Sequence, residues 1–434
     1  MRKFKSIMIL VILVILLTSI FQIAQGANKV LNIALATGPW NPSVEYLFDM
    51  YSKETGTEFK LTKSPYMDHY RKMVQAMMRG SKDYDMIIFD PAQYGSIFFE
   101  NKLLTPLKEI SPALEIPSAV IEPHVKTGIY HDVLYSLPIV GNTQLLFYRK
   151  DLLDDAGLPM PETVEDLITI NKKLYNPPKM YGYLIPMKQN YDVIYNTLYF
   201  VKSAGGDIFA TEDGPDWTIK FTSPESVKAY EAWFALKEWS TPDSANMHWS
   251  EENNYLATQR SWGGSTVAAW VWAHDDPKYT QIPGKMQYTV TPRVAPGIGK
   301  SAPILGTWGM GIPKEATNKE LALDFMEWTL TKEAQSAYAK VGGIAVREDV
   351  LTDPELLSDP KNRWFPALLE SSRLGQLRPQ MEHWMEVQDI LVPYIHKAFT
   401  DEISLKEALN KSAELVEKLL DEEGYQHGPT VLVK

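Results

Sequence analysis

Along the first hundred residues the hydrophobic pattern changes period repeatedly. Val30–Ala36 (VLNIALA) is an apolar run that stops at Gly38-Pro39, as a buried strand does on entering a loop. Positions 42–55 then carry Val44, Leu47, Phe48 and Tyr51 at helical spacing, and 58–62 reads as a strand. Helical spacing returns over 68–79, with Tyr70, Met73, Val74 and Met77 on one face and Gly80 as the stop. The run 84–89 (YDMIIF) is a buried strand broken by Asp90-Pro91. Strands alternating with helices predict parallel βαβ units.

Further on, 145–148 predicts a strand and 151–156 a short helix closed by Gly157. Thr163 with Asp166 forms a capping box that opens a helix through Leu167, Ile170 and Leu174. A helix over 223–237 starts with Ser223 as its cap and Pro224 in first position. Lys319–Thr329 sets Leu321, Phe325 and Trp328 along one side. Over 404–420 a Ser404…Glu407 box opens a stripe of Leu405, Leu409, Ala413, Val416 and Leu420. The 434 residues allow two or three globular units, yet no repeat, low-complexity tract or Gly/Ser linker divides them. Lobes built from this chain must share more than one crossing.

The N-terminus changes the picture. Arg2, Lys3 and Lys5 precede an apolar run over 7–21, and Ala24-Gln25-Gly26 supplies small residues at the spacing a signal peptidase reads. Residues 1–26 are therefore expected to be a cleavable export signal, and the protein to be periplasmic or extracellular. The alternative is a retained membrane anchor, for which the run is short of the ~20 residues a bilayer span needs. Cysteine is absent, which excludes disulfides, thiolate metal sites and cysteine nucleophiles. The net charge of −11 argues against nucleic acid or an anionic membrane surface as partner.

Catalytic motifs fail on context. Gly299-Lys300-Ser301 resembles the end of a phosphate loop, but Val294 stands where its first glycine belongs. Gly297 and Gly299 mimic a dinucleotide fingerprint, but Pro303 follows and no amphipathic helix does. The 8 histidines are scattered, with no HExxH; His274, Asp275 and Asp276 read as a solvated turn before Pro277 rather than a cation site. No GxSxG elbow occurs, so no catalytic residue, metal or cofactor is expected. A pair of carboxylates for glycoside cleavage is decided by separation in space, so a secreted carbohydrate-active enzyme of the glycoside hydrolase type stands as the alternative function.

The chain holds 12 tryptophans, three of them within WGGSTVAAWVW at 262–272. A sugar or polyol presents hydroxyls at its edge and weakly apolar C–H faces, so its site needs flat aromatic plates with polar groups around them. Trp262 would end a strand, Gly263 and Gly264 would let the backbone approach a ligand, and Ser265 would cap a short helix carrying Trp270. Whether 267–272 is strand or helix is open from periodicity. Trp40 in the loop after the first strand, Asp90 at the end of YDMIIF with Gln93 behind it, Asn142 and Gln144 after the SLPIV proline, and Trp308 in GTWGMG meet the same requirement. Each could equally be a core or capping residue.

Several stretches resemble the extracellular solute-binding proteins of family 1, which feed carbohydrate ABC importers. They are YDMIIFDPAQYGSIFFENKLLTPL, YSLPIVGNTQLLFYRKDLLDDAGLPMPETVEDL, SAGGDIF with FTSPESVKAYEAW, GTWGMGIPKEATNKELALDFMEWTLTKEAQ, GGIAVREDV, and RPQMEHWMEVQDILVPYIHKAF with SLKEALNKSAELVEKL. Arg149 and Val164 replace residues more common at those places. The resemblance implies an α/β, two-lobe periplasmic binding protein fold (type II), with the ligand in a cleft between hinged lobes. It implies an N-terminal lobe of 28–139 plus 290–340 and a C-terminal lobe of 140–289 plus 341–434. It adds Asn190, beside Gln189 and Tyr191, together with Arg347 and Trp384, as ligand contacts. DDPKYTQIPGK resembles the branch that includes sugar-alcohol binders, so a sugar, polyol, cyclitol or oligosaccharide is the expected ligand. A monomer that passes this ligand to membrane permease subunits is the expected mode of action.

Overall fold

The computed structural model describes residues 29–434 apart from 296 and 298; the export signal read at 1–26 lies outside them. In chain order the strands are β1 (Val30–Ala36), β2 (Glu58–Ser64), β3 (Met86–Phe89), β4 (Ile129–Tyr130), β5 (Val133–Leu134), β6 (Ser136–Val140), β7 (Gln144–Arg149), β8 (Tyr181–Leu184), β9 (Ser261–Val267), β10 (Met286–Thr289) and β11 (Trp308–Gly311). They form a five-stranded sheet ordered β2-β1-β3-β11-β6 and a four-stranded sheet ordered β10-β7-β9-β8, with β4 and β5 as a small hairpin. Each large sheet, covered by helices, is the centre of one lobe.

β1 lies parallel to both β2 and β3, which crossover helices require. The helix Asn41–Thr55 makes the first crossover. It buries Val44, Leu47, Phe48 and Tyr51, the face that the spacing predicts, at about 1.5–3 kcal/mol for each large apolar side chain. The next helix spans Tyr66–Met78 and buries His69, Met73, Ala76 and Met77, with Tyr70 and Val74 half-buried beside them. It starts earlier than the sequence pattern suggests because Pro65 sets its entry.

The Thr163–Asp166 box forms fully: Thr163 Oγ1 accepts from Asp166 N at 3.3 Å and Asp166 Oδ2 accepts from Thr163 N at 2.9 Å. Ser404 accepts from Glu407 N at 3.1 Å, while among the described residues Glu407 makes no return bond, so this box is half-made. The helix expected over 223–237 divides into Pro224–Phe234 and a 3-10 turn, Lys237–Trp239. Residues 267–272, open from sequence, resolve as the end of β9 followed by the 3-10 segment Ala268–His274.

Four chain segments lie side by side where the two sheets meet. Gly141 N donates to Ile344 O at 2.8 Å, Gly306 N to Asn142 O at 2.9 Å, Leu305 N to Gln376 O at 3.0 Å, and Gln376 N to Pro303 O at 2.8 Å. The packing is tight: a Cβ on Gly141 would stand 2.7 Å from Ala345 O. The lobes therefore share several crossings, as the absence of a linker requires.

Candidate ligand-binding site

Strand ends build the site. Thr37 to Trp40 follow β1, Tyr66 follows β2, Asp90 follows β3, and Trp308 opens β11; together they form the wall on the first sheet. Tyr191, Tyr195, His248, Trp249, Ala269 and Trp270 form the facing wall. Asn142, Gly306 and Arg378, on or beside the crossing segments, make the floor. The cavity measures about 150 Å³. It lies off the carboxyl ends of parallel strands, where α/β sheets hold ligands.

The walls are aromatic and continuous between lobes. Trp40 lies 4.3 Å from Trp308 at 40°, and Tyr66 stands edge-on to Trp308 at 5.6 Å. Tyr66 meets Tyr191 of the opposite wall at 5.5 Å, and Trp249 follows, 6.3 Å from Tyr191 and 5.2 Å from Tyr195. The Tyr66–Tyr191 contact bridges the two walls.

Every charge lining the cavity is compensated. Arg378 Nη2 donates to Asp90 Oδ1 at 2.6 Å and Oδ2 at 2.9 Å, and Nη1 donates to Gln93 Oε1 at 2.9 Å. Burial alone would lower the pKa of Arg378; the Asp90 carboxylate outweighs it and holds the guanidinium above its ordinary value. Gln93 Nε2 in turn donates to Gln388 Oε1 at 2.7 Å, and Gln388 Nε2 donates back to Gln93 Oε1 at 3.1 Å. On the other wall His248 Nε2 lies 2.8 Å from Asp192 Oδ2. Burial disfavours charged His248, but Asp192 prevails and raises its pKa. Burial likewise pushes the Tyr66 and Tyr191 hydroxyls well above the usual phenol range, so both stay neutral donors.

Of the residues expected from sequence, Trp40, Asp90, Asn142, Trp270 and Trp308 line this cavity. Gln93 stands one layer behind, orienting Arg378. Gln144 is spent on the crossing backbone, with Oε1 accepting from Ile304 N at 3.0 Å. Asn190 accepts from Asp192 N at 2.9 Å and shapes the loop that presents Tyr191. The structure places the other four elsewhere. Trp262 does not end a strand but starts β9, fully buried, with Nε1 donating to Asn171 Oδ1 at 2.8 Å. Gly263 approaches the Phe147 carbonyl of β7, not a ligand, and Gly264 makes room for Glu252. Ser265 lies within β9 and caps no helix. Trp384 is a core residue, 1% exposed. Arg347 spends its guanidinium on Asp349 and on the Leu330 carbonyl at 2.7 Å.

Tyr66, Tyr195, His248, Trp249, Gly306 and Arg378 are additional lining residues. Tyr66 had the same signal as Trp40, a ring just past a strand end. Arg378 stood in the RPQ that precedes Trp384, the residue singled out there. Asp275 pairs with Arg363 at 2.7 Å, and no cluster of three metal-ligating side chains occurs among the described residues.

Residues 46–363 match the bacterial extracellular solute-binding protein family. The chain belongs to that family. This solute-binding protein is 25% identical over 335 residues to a probable amino-acid ABC transporter periplasmic-binding protein of Sinorhizobium fredii, across 74% of this chain and 72% of that one. It is 26% identical over 242 residues to the mannitol-binding protein of Pseudomonas aeruginosa, across 54% and 52% of the two chains. Among solved structures, an ABC transporter solute-binding protein of Agrobacterium radiobacter K84 in complex with ribitol superimposes with a TM-score of 0.79 at 24% identity. The superposition covers 90% of this solute-binding protein and 98% of that one. Maltose-bound MalE3 of T. maritima gives 0.77 at 21% identity, covering 90% and 100%. The two-lobe fold of periplasmic binding proteins is thus shared along nearly the whole chain. Among the described residues no helix is long and apolar enough to cross a membrane.

Proposed function

We propose that this solute-binding protein captures a neutral carbohydrate or polyol between its lobes and delivers it, as an exported monomer, to the permease of an ABC importer. The carrying observation is an aromatic cavity whose charges cancel internally. Flat rings of Trp40, Trp308 and Trp270 suit C–H faces, while Asp90, Asn142, the tyrosine hydroxyls and Arg378 suit hydroxyl edges. Two relatives point the same way, one named for mannitol and one holding ribitol. The relative named for amino acids favours a second reading. A zwitterion needs a free cation for its carboxylate and a free anion for its ammonium, whereas Arg378 is tied to Asp90 and His248 to Asp192.

A binding role, not catalysis, accords with the same geometry. Glycoside cleavage takes two carboxylates flanking the bond, and among the described lining residues Asp90 is the one carboxylate, held by Arg378. The cavity of about 150 Å³ is small beside the ~300–1,000 Å³ of typical ligand sites, which favours a single pentitol, hexitol or monosaccharide. The crossing segments serve as hinges, and the lobe division expected from sequence becomes part of this proposal.

A thermal-shift panel of alditols, monosaccharides, cyclitols and amino acids tests the reading. A ligand at a hundred times its Kd stabilises by about 2.7 kcal/mol, a clear rise in Tm. A rise with a sugar or polyol and none with amino acids is expected; a rise with amino acids alone would overturn it.

A further inference from the structure

The cavity ends at Trp40, and a larger space of about 570 Å³ begins on its far side, sharing Pro39, Trp40 and Ala269 as the partition. Its walls combine indole rings with a more charged rim than the inner chamber has. Trp272 offers an indole face that is 38% exposed, steadied edge-on by Tyr279 at 4.7 Å, with the largely buried Trp364 lining the wall beside it. Asp276, Asn362 and Lys361 supply polar edges. Flat rings with donors and acceptors at their rims are what a pyranose selects.

The indole of the partition is held by packing, with no hydrogen bond to its ring. Trp40 Nε1 is buried without a hydrogen-bond partner, and the indole leans on Trp308 at 4.3 Å. It folds back over Gly38, where a Cβ would collide with Cζ2, Cη2 and Cε2 of the ring. The missing side chain at position 38 is what lets the indole lie across the passage.

We infer that Trp40 sets ligand length. It closes the inner chamber to anything beyond one small unit, and the space beyond is a second carbohydrate subsite that takes further units once the indole is displaced. This inference rests on the reading of the inner cavity as a carbohydrate or polyol site. Gly38→Ala keeps Trp40 but forces its ring out of the passage; Trp40→Ala removes the ring.

Titration calorimetry on wild type and both variants compares the tightest of ribitol, mannitol, glucose and galactose with maltose and lactose. The expected result is a disaccharide-to-small-ligand affinity ratio at least tenfold higher in both variants. Trp272→Ala added to Gly38→Ala should remove the gained disaccharide affinity and leave the small ligand unchanged, a readout that survives if Trp40→Ala fails to fold. A ratio unchanged in Gly38→Ala, or a wild type that already binds a disaccharide as tightly as the small ligands, overturns the inference while leaving the function standing. A wild type that binds none of these probes and whose Tm rises with amino acids alone overturns the function, and this inference with it.

Discussion

His124 offers a quantitative test of the packing around the site. It is fully buried beneath the residues that lead into β11, with Nδ1 2.7 Å from Thr307 Oγ1 and Nε2 3.0 Å from Ser372 Oγ. Burial lowers its pKa from 6.5 to about 3, so the folded protein holds it neutral. In the unfolded chain the imidazole regains a pKa near 6.5. Between these values the unfolded chain binds one more proton, so stability rises with pH across the window; the contribution is complete above pH 6.5 and is lost as pH falls. At pH 5 the imidazole is about 1.5 pH units below its unfolded pKa, which costs the wild type about 2 kcal/mol relative to pH 7.5. His124→Gln keeps a donor and an acceptor for Thr307 and Ser372 but does not titrate. The variant should be about 1–2 kcal/mol less stable at pH 7.5 through poorer hydrogen bonds. Urea unfolding should then show this gap narrowing by about 2 kcal/mol at pH 5. An identical gap at both pH values would mean that His124 accepts a proton in the folded state, and the reasoning would fail.

Glu252 carries the opposite sign. Burial first, and the charge of Asp192 second, push its carboxyl well above the ordinary range, so its contribution holds at low pH and is lost as pH rises through the folded value. Glu252→Gln should match wild type at pH 4 and exceed it by ~1–3 kcal/mol at pH 8 in urea unfolding. Asp90→Ala leaves Arg378 buried without its partner; calorimetry should show a loss of about 3–5 kcal/mol and no ligand-dependent rise in Tm. Trp308→Ala should weaken binding by about 2 kcal/mol, roughly thirtyfold, while the melting curve stays cooperative. Trp262→Phe removes the bond to Asn171 and should cost ~1–3 kcal/mol of stability, with affinity for the same ligand unchanged by titration calorimetry.

The first lobe was legible because its signals are local. Apolar runs ending at Gly38-Pro39 and Asp90-Pro91 marked strand ends, and strand ends are where Trp40 and Asp90 enter the cavity. Within the tryptophan cluster Trp262 misled for a physical reason, while Trp270 does line the cavity. Gly263 and Gly264 beside Trp262 signal close backbone approach, but sequence does not say to what, and the neighbours turned out to be Phe147 and Glu252. Pairings distant in sequence were equally hidden. Arg378 meets Asp90 across 288 residues, and only the folded crossings bring them together. Trp384 was expected from the family resemblance, yet it is the first residue of Trp384–Phe399, turned into the core.

If the crossing segments are the hinges proposed above, the seating of Asn142, Gly306 and Arg378 on or beside them puts part of the proposed ligand's shell at the fulcrum of the molecule. Rotation about a fulcrum moves nearby atoms little and distant ones far, so contacts made there persist whether the jaws are apart or together. Tyr191, with Trp249 packed behind it, would ride on a longer lever and meet Tyr66 only at the end of the swing. On the proposed function, first capture is the work of the fulcrum, and the distant rings are the latch to be sprung when the jaws empty.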